Sequence, residues 1–351
     1  MQKKIIALAV AGLLSGAAFA QTNVTVYGTI DMAYVHQSDS VTDANAQNNI
    51  DDGGWDRSRF GLKGTEDLGN GLSVSFQQEF GLKADNQNGA TMQRASFVSL
   101  DGKGWGSVKA GNFWSVVDDF VSYTSAGSGS QVGWGEGVID LSLKTSANNA
   151  VQFESLDYNG FKFGVGYSSN FYSEADSSVS NDNMRAVFAA ASYTNGGLYV
   201  GGAYTKGRQG TDNLDYREWM LGGAYDFKSL KVGLAYADAS LDQDVFFGTA
   251  GATDELRRKT WRGNVSVPVT AKDTVTLSYT DSKLERGDGL KDYDASAWGI
   301  AYMHALSKRT TLYAAAYTAD ADHGFLTVGT DGDVTYDGFE TGFKLGVRHQ
   351  F

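Results

Sequence analysis

Between Val24 and Val35 the side chains change character at almost every step. Val24, Val26, Gly28, Ile30, Met32 and Tyr34 fall on one parity, and Thr25, Thr29 and Asp31 on the other. A period of two puts apolar and polar residues on opposite faces of a strand, and a helix, with its 3.6-residue repeat, cannot sort them that way. The end of the chain does the same: Phe339, Thr341, Phe343, Leu345, Val347, His349 and Phe351 alternate with Glu340, Gly342, Lys344, Gly346, Arg348 and Gln350. Three internal segments, Phe161 to Tyr167, Leu198 to Tyr204 and Leu230 to Tyr236, carry an apolar residue at every second position and close on tyrosine. Each follows a tight polar or glycine-containing turn, at Asn159-Gly160, Asn195-Gly196-Gly197 and Lys228-Ser229.

Turns give the architecture. Short connections stand near Asp67 to Gly71, Asp101 to Gly106, Asn159-Gly160, Asn195 to Gly197, Lys228-Ser229, Ala271 to Asp273 and Ser307 to Arg309. Seven hairpins supply fourteen strands, and the two terminal strands bring the total to sixteen. Eight longer polar stretches alternate with the turns, at roughly 37–55, 82–90, 114–148, 169–184, 206–215, 238–256, 283–292 and 318–337. Short turns at one rim and long loops at the other predict an all-β fold, a 16-stranded antiparallel transmembrane β-barrel. In lipid every backbone polar group must be paired, so the first and last strands must meet. A soluble β-sandwich also alternates, but it would bury its apolar face. Sixteen strands enclose a space too wide for side chains to fill, so the inner face should be polar. Arg57, Arg59 and Lys63 oppose Phe60 and Leu62, while Ser73, Ser75, Gln77 and Glu79 oppose Leu72, Val74 and Phe76. The single proline of 351 residues, Pro268, sits beside a turn, where its missing ladder bond costs least. Tyr27, Tyr158, Tyr167, Tyr193, Tyr204, Tyr225, Tyr302 and Phe351, near strand ends, are expected to form interfacial girdles.

The amino terminus reads as an export signal. Lys3 and Lys4 precede an apolar core from Ile5 to Leu14, and Ala18-Phe19-Ala20 makes a small-x-small cleavage site before Gln21. The expected organisation is a signal peptide over 1–20 and one barrel domain over 21–351. Cleavage would leave 27 basic against 41 acidic side chains, a net charge of −14 that argues against nucleic acid as a partner. With no cysteine there is neither a disulfide frame nor a thiolate metal site.

Several segments resemble a known family. Val24-Thr-Val-Tyr-Gly-Thr-Ile-Asp31, Ser58-Arg-Phe-Gly-Leu-Lys-Gly-Thr-Glu-Asp-Leu-Gly-Asn-Gly-Leu72, Leu306-Ser-Lys-Arg-Thr-Thr-Leu-Tyr313 and Gly346-Val-Arg-His-Gln-Phe351 are similar to the general porins of Gram-negative bacteria, in the neisserial and beta-proteobacterial branch. The resemblance implies a trimeric channel in the outer membrane whose third external loop folds inward to narrow the pore. It also implies that Phe351 belongs to the signal read by the barrel-assembly machinery. Two features depart from the family: Asn112 stands where the branch commonly places an arginine, and the third loop lacks the Pro-Glu-Phe-Gly motif of enteric relatives.

The longest connection, 114–148, is the third and holds Asp118, Asp119, Glu136 and Asp140. Facing it from the wall would be Arg57, Arg59, Lys63, Arg94 and Lys109, with Glu79 on the same lining face. Rows of acid and base across a narrow aqueous gap would orient polar solutes and set ion preference. The near balance of charge predicts weak selectivity of either sign. Catalytic arrangements are thin: His36, His304, His323 and His349 suggest no Ser-His-acid set, and the run from Gly127 to Gly133 lacks the Lys-Ser/Thr of a phosphate loop. Asp51-Asp52-Gly53 and Asp331-Gly332-Asp333 read as solvated loop tips, bridged by ions to lipopolysaccharide, rather than as calcium sites. The expected protein is a passive channel for ions and small hydrophilic solutes, with no cofactor or metal. A solute-selective channel of the same architecture, or an adhesin with a plugged barrel, are the alternatives.

Overall fold

A computed structural model describes residues 24–39, 47–85, 92–125, 141–142, 144–171, 184–208, 215–242, 255–287, 292–325 and 336–351. Strands run in chain order as β1 (Thr25–Asp39), β2 (Gln47–Asp52), β3 (Arg59–Gly69), β4 (Leu72–Gly81), β5 (Met92–Gly102) and β6 (Gly106–Trp114). A helix, α1 (Val116–Thr124), precedes β7 (Ser146–Ser155), β8 (Phe161–Ser168), β9 (Arg185–Asn195), β10 (Leu198–Arg208) and β11 (Asp215–Asp226). Then come β12 (Lys231–Asp242), β13 (Glu255–Pro268), β14 (Asp273–Arg286), β15 (Tyr293–Ala305), β16 (Thr310–Phe325) and β17 (Tyr336–Gln350).

All these strands belong to one antiparallel sheet, and it closes: β1 pairs with β17 from Thr29↔Gln350 to Asp39↔Glu340. β2 and β3 both pair with β1, at Met32 to Gln37 and at Thr25 to Thr29 respectively. They form one stave interrupted at residues 53–58, so the barrel has the sixteen staves that the turns predict. The seven tight connections fall where expected. At Asn159-Gly160 both residues have positive φ, 55° and 94°, as a turn matching the twist of a hairpin requires. A Cβ on Gly160 would stand 1.9 Å from the Thr194 carbonyl, so only glycine fits.

One stretch differs from its reading. Within the expected loop 37–55, β2 continues the ladder, with Asp51 opposite Ala33 and Asp52 opposite Met32. These acids are therefore part of a wall and not a loop tip, while Asp331 and Asp333 lie outside the described residues. Gln-Asn-Asn-Ile-Asp-Asp lacks the apolar alternation that marks the other staves, and pairing with β1 holds it extended.

Alternation divides inside from outside. In β13, Arg258, Thr260, Arg262, Asn264 and Ser266 are buried on one parity, and Trp261 on the other is half exposed. Leu234, Leu277, Trp298 and Leu345 are likewise more than half exposed and outward. Each such side chain would gain about 1.5–3 kcal/mol from leaving water, so this exterior is stable only against hydrocarbon. Trp219, Tyr236 and Trp261 form a continuous band, with ring centroids 5.3 and 4.5 Å apart, and Tyr279 and Trp298, 4.3 Å apart, extend it. Of the anticipated girdle residues, Tyr27 is the exception: it turns inward, and its hydroxyl donates to Glu79 Oε2 at 2.8 Å.

Candidate functional site

The barrel wall carries a connected charge network on its inner face. Arg59 makes a bidentate pair with Asp56, Nη1 to Oδ1 at 2.6 Å and Nη2 to Oδ2 at 2.9 Å. Arg348 donates to the same Asp56 Oδ2 at 2.8 Å while its guanidinium lies 4.9 Å from the Trp55 ring centre. Glu79, 5 % exposed, accepts from Arg94 Nε at 2.7 Å, and Arg59 Nε lies 3.8 Å from it. Three guanidiniums thus share two carboxylates, and the buried Asp31 carboxylate adjoins them by accepting from the Trp55 and Asp56 amides.

Arg94 reaches this network because of a bulge. Gln78 pairs with Ser96 and Phe80 with Gln93, so Arg94 and Ala95 together oppose Glu79. The extra residue re-aims Arg94 into the lumen. Asn112 Nδ2 donates to the Arg94 carbonyl at 2.7 Å, which gives this departure from the family pattern a role in fixing the bulge.

α1 lies against the lumenal side of β8 to β12. Ser115 caps it, accepting from Val117 N at 3.2 Å, and Gln152 Oε1 accepts from Val116 N at 3.0 Å. Asp118 and Asp119 occupy the first turn, where carboxylates favour the helix dipole. Val116, Val117 and Phe120 are buried against the wall. Gly164 is the seat: a Cβ there would stand 2.3 Å from Val116 Cγ1. At the far end, the Thr124 carbonyl accepts from Asn264 Nδ2 of β13 at 2.9 Å, over Gly233 of β12. Tyr123, half exposed, stacks on Tyr199 with centroids 4.7 Å apart. Beyond the undescribed part of the loop, Ser142 donates to Glu218 Oε2 at 2.6 Å, and the Tyr216 hydroxyl reaches the same oxygen at 2.9 Å.

The two helix acids have different surroundings. Burial pushes the Asp118 carboxyl up, opposed by the Thr145 side chain and by Arg94. Water reaches Asp119, yet the surrounding wall strips much of its hydration. Desolvation, with Glu154 and Asp118 adding, pushes it up to about 6 against the pull of Lys109 and Lys162.

The other expected site residues divide as follows. Lys109 is 2.5 Å from Glu154 Oε1 and stands over the rings of Phe97 and Phe113. Lys63 lies 5.1 Å above the Tyr27 ring, exposed towards the short-turn rim. Arg57 sits in the 53–58 interruption, its carbonyl accepting from Arg59 Nη1 at 3.2 Å. Glu136 and Asp140 lie outside the described residues. Arg59, Arg94 and Lys109 pair with wall carboxylates, and among the described residues no ion pair joins α1 to the wall. Sequence reasoning missed Asp56, Glu154, Arg258, Arg262 and Arg348 as lining residues. Strand parity, shared with neighbours such as Thr260 and Lys344, was the available signal for all of these but Asp56, which lies in the 53–58 interruption.

A family model described as Gram-negative porin matches residues 7–324. The chain belongs to the Gram-negative porin family. Outer membrane porin protein 32 of Delftia acidovorans is 32% identical over 376 residues, and an outer membrane porin of Bordetella pertussis is 30% identical over 404; both matches cover the whole of each chain. Among solved structures, an anion-selective porin from Comamonas acidovorans superposes with a TM-score of 0.77 at 24% identity, covering 94% of this chain and 100% of that one. The fold is thus that of an outer-membrane porin, and the family's members are transport channels rather than enzymes. The porin's His304 Nδ1 lies 2.6 Å from Asp273 Oδ1 at a short turn, where Tyr302 also bonds that carboxylate. That cluster fastens a hairpin.

Proposed function

We propose that this porin, exported by cleavage after residue 20, is an open passive-diffusion channel whose narrowest aqueous gap lies between α1 and the Arg59–Arg94–Arg348 face. The observation that carries the reading is the hydrogen bond from Asn264 to the Thr124 carbonyl, which supports an inward course for the loop that leaves β6. Ions and small polar solutes would pass between Asp118 and Asp119 on one side and the wall guanidiniums on the other. Arg57, Lys63, Glu79 and Lys109 would add to the lining, with Glu136 and Asp140 contributed by the remainder of the loop. The opposed charges nearly balance, so selectivity is weak. Lipopolysaccharide surrounds the barrel, Phe351 serves as its assembly signal, and the apolar outer face of the terminal strands supports a homotrimer.

Planar-bilayer recording tests this. The expected result is a large ohmic conductance arriving in threefold steps, with a reversal potential near zero in a salt gradient. Neutralising both acids, Asp118→Asn with Asp119→Asn, should move the permeability ratio towards anions; an unmoved ratio would place the helix outside the conduction path. The Tyr123–Tyr199 stack at the lumen edge favours a second reading, a solute-selective channel, which would show saturable current block by one solute. Absence of current would point to an adhesin.

A further inference from the structure

We propose that the outward face of β9, β10 and β11, at its long-loop end, binds the phosphate groups of a phosphorylated glycolipid in the surrounding leaflet. The inference rests on the outer-membrane reading and locates the contact with lipopolysaccharide. Arg185, Lys206, Arg208 and Arg217 share the outward parity of exposed Val187, Tyr204 and Leu221. In the register of the sheet, Lys206 stands directly opposite Arg217, and Arg208 opposite Arg185. Like charges facing each other across strands weaken a sheet, and here two such pairs adjoin. Strand spacing of about 4.8 Å and a rise of about 3.4 Å per residue confine their Cα atoms to a patch roughly 10 Å by 7 Å, the scale of a phosphorylated sugar headgroup.

Cations on the next strands are neutralised within the protein. Arg257 lies 2.6 Å from Asp238, Lys259 2.6 Å from Glu285, and Lys283 2.8 Å from Asp292. Among the described residues, β9 to β11 have far less of that compensation. Arg208 has only Asp215 at 3.6 Å, both side chains more than half exposed, and among the described residues no carboxylate pairs with Arg185, Lys206 or Arg217. Depth agrees with the assignment. Lys206 is two residues beyond Tyr204, and Arg217 two beyond Trp219, on the long-loop side of the aromatic band that marks the headgroup boundary. The quartet therefore sits among headgroups, where charge complementarity selects an anion. Fixed cations hold phosphate without a bridging metal, which separates this site from contact through acidic loops.

The test titrates the full mature porin in detergent with bisphosphorylated lipid A in the presence of EDTA, counting bound lipid by native mass spectrometry. Wild type should retain lipid A under EDTA. Neutralising Arg185→Gln, Lys206→Gln and Arg217→Gln together should weaken binding roughly a hundredfold, at about fivefold per cation near a lipid surface. Equal binding by wild type and variant, or binding that EDTA abolishes, would overturn the proposal. Should the variant not assemble, wild type alone decides: it should discriminate against dephosphorylated lipid A, and indifference would be equally fatal. Conductance recorded on the same samples should be unchanged, so loss of this inference and loss of the channel reading are separately visible.

Discussion

Arg94 shows how one extra residue redirects a charge. On strict alternation Arg94 would share the outward parity of Ser96 and Val98, and the bulge opposite Glu79 brings it inside. A bulge leaves almost no mark in a sequence, so the inward set was legible at Arg59 and Lys109 by parity but the wall pairing was not. Glu154 reaches Lys109 from the neighbouring stave, and Asp56 reaches Arg59 only because the chain turns at the 53–58 interruption. At the same scale, the raised carboxyl of Asp119 gives a pH dependence with a definite sign. A carboxyl pushed up to about 6 is ionised at pH 7 and becomes neutral as pH falls through that value. Acidification from pH 7 to 5 should therefore remove a negative charge from the gap and shift reversal potential towards anions. Asp119→Asn should hold the anion-shifted ratio across that range.

Among elements, α1 depends on what the wall omits. Gly164 and Gly233 leave hollows for Val116 and for the Thr124 carbonyl, and Asn264 supplies the donor. Asn264→Ala should strand a buried carbonyl, at a cost of about 1–3 kcal/mol, and loosen the far end of the helix. Open-channel current noise should rise while barrel stability in denaturant changes little, because the strands' own ladders remain. Gly164→Val should displace the near end and alter single-channel conductance. Four of the seven turns were readable because glycine and asparagine answer a local backbone demand, and the other three, at Lys228-Ser229, Ala271 to Asp273 and Ser307 to Arg309, because a short polar stretch interrupts the alternation. The helix was not, since its nine residues are held by partners on distant strands and were read only as part of a long loop. β2 escaped for a related reason: its pairing with β1 overrides a composition that looks like loop.

For the molecule as a whole, the inverted distribution of polarity makes the two faces of one strand respond oppositely to the same change. Leu277→Arg places a cation in hydrocarbon, at a cost of about 2–4 kcal/mol near the midplane, and should lower the guanidinium midpoint of the barrel in lipid vesicles. Ser278→Arg, one residue on and on the inward parity, keeps its cation out of hydrocarbon and should lower that midpoint less while altering ion permeability. Equal destabilisation by both would contradict the assignment of faces. The seam between β1 and β17 has a consequence for biogenesis. Gly28 and Phe351 exchange backbone hydrogen bonds at 3.1 Å in each direction, so the ring can be sealed only after Phe351 has been made. Co-translational folding of a growing amino-terminal portion would leave two bare edges ready to stick to other chains. The two terminal strands must therefore be present together before the ring can close, in a single late act.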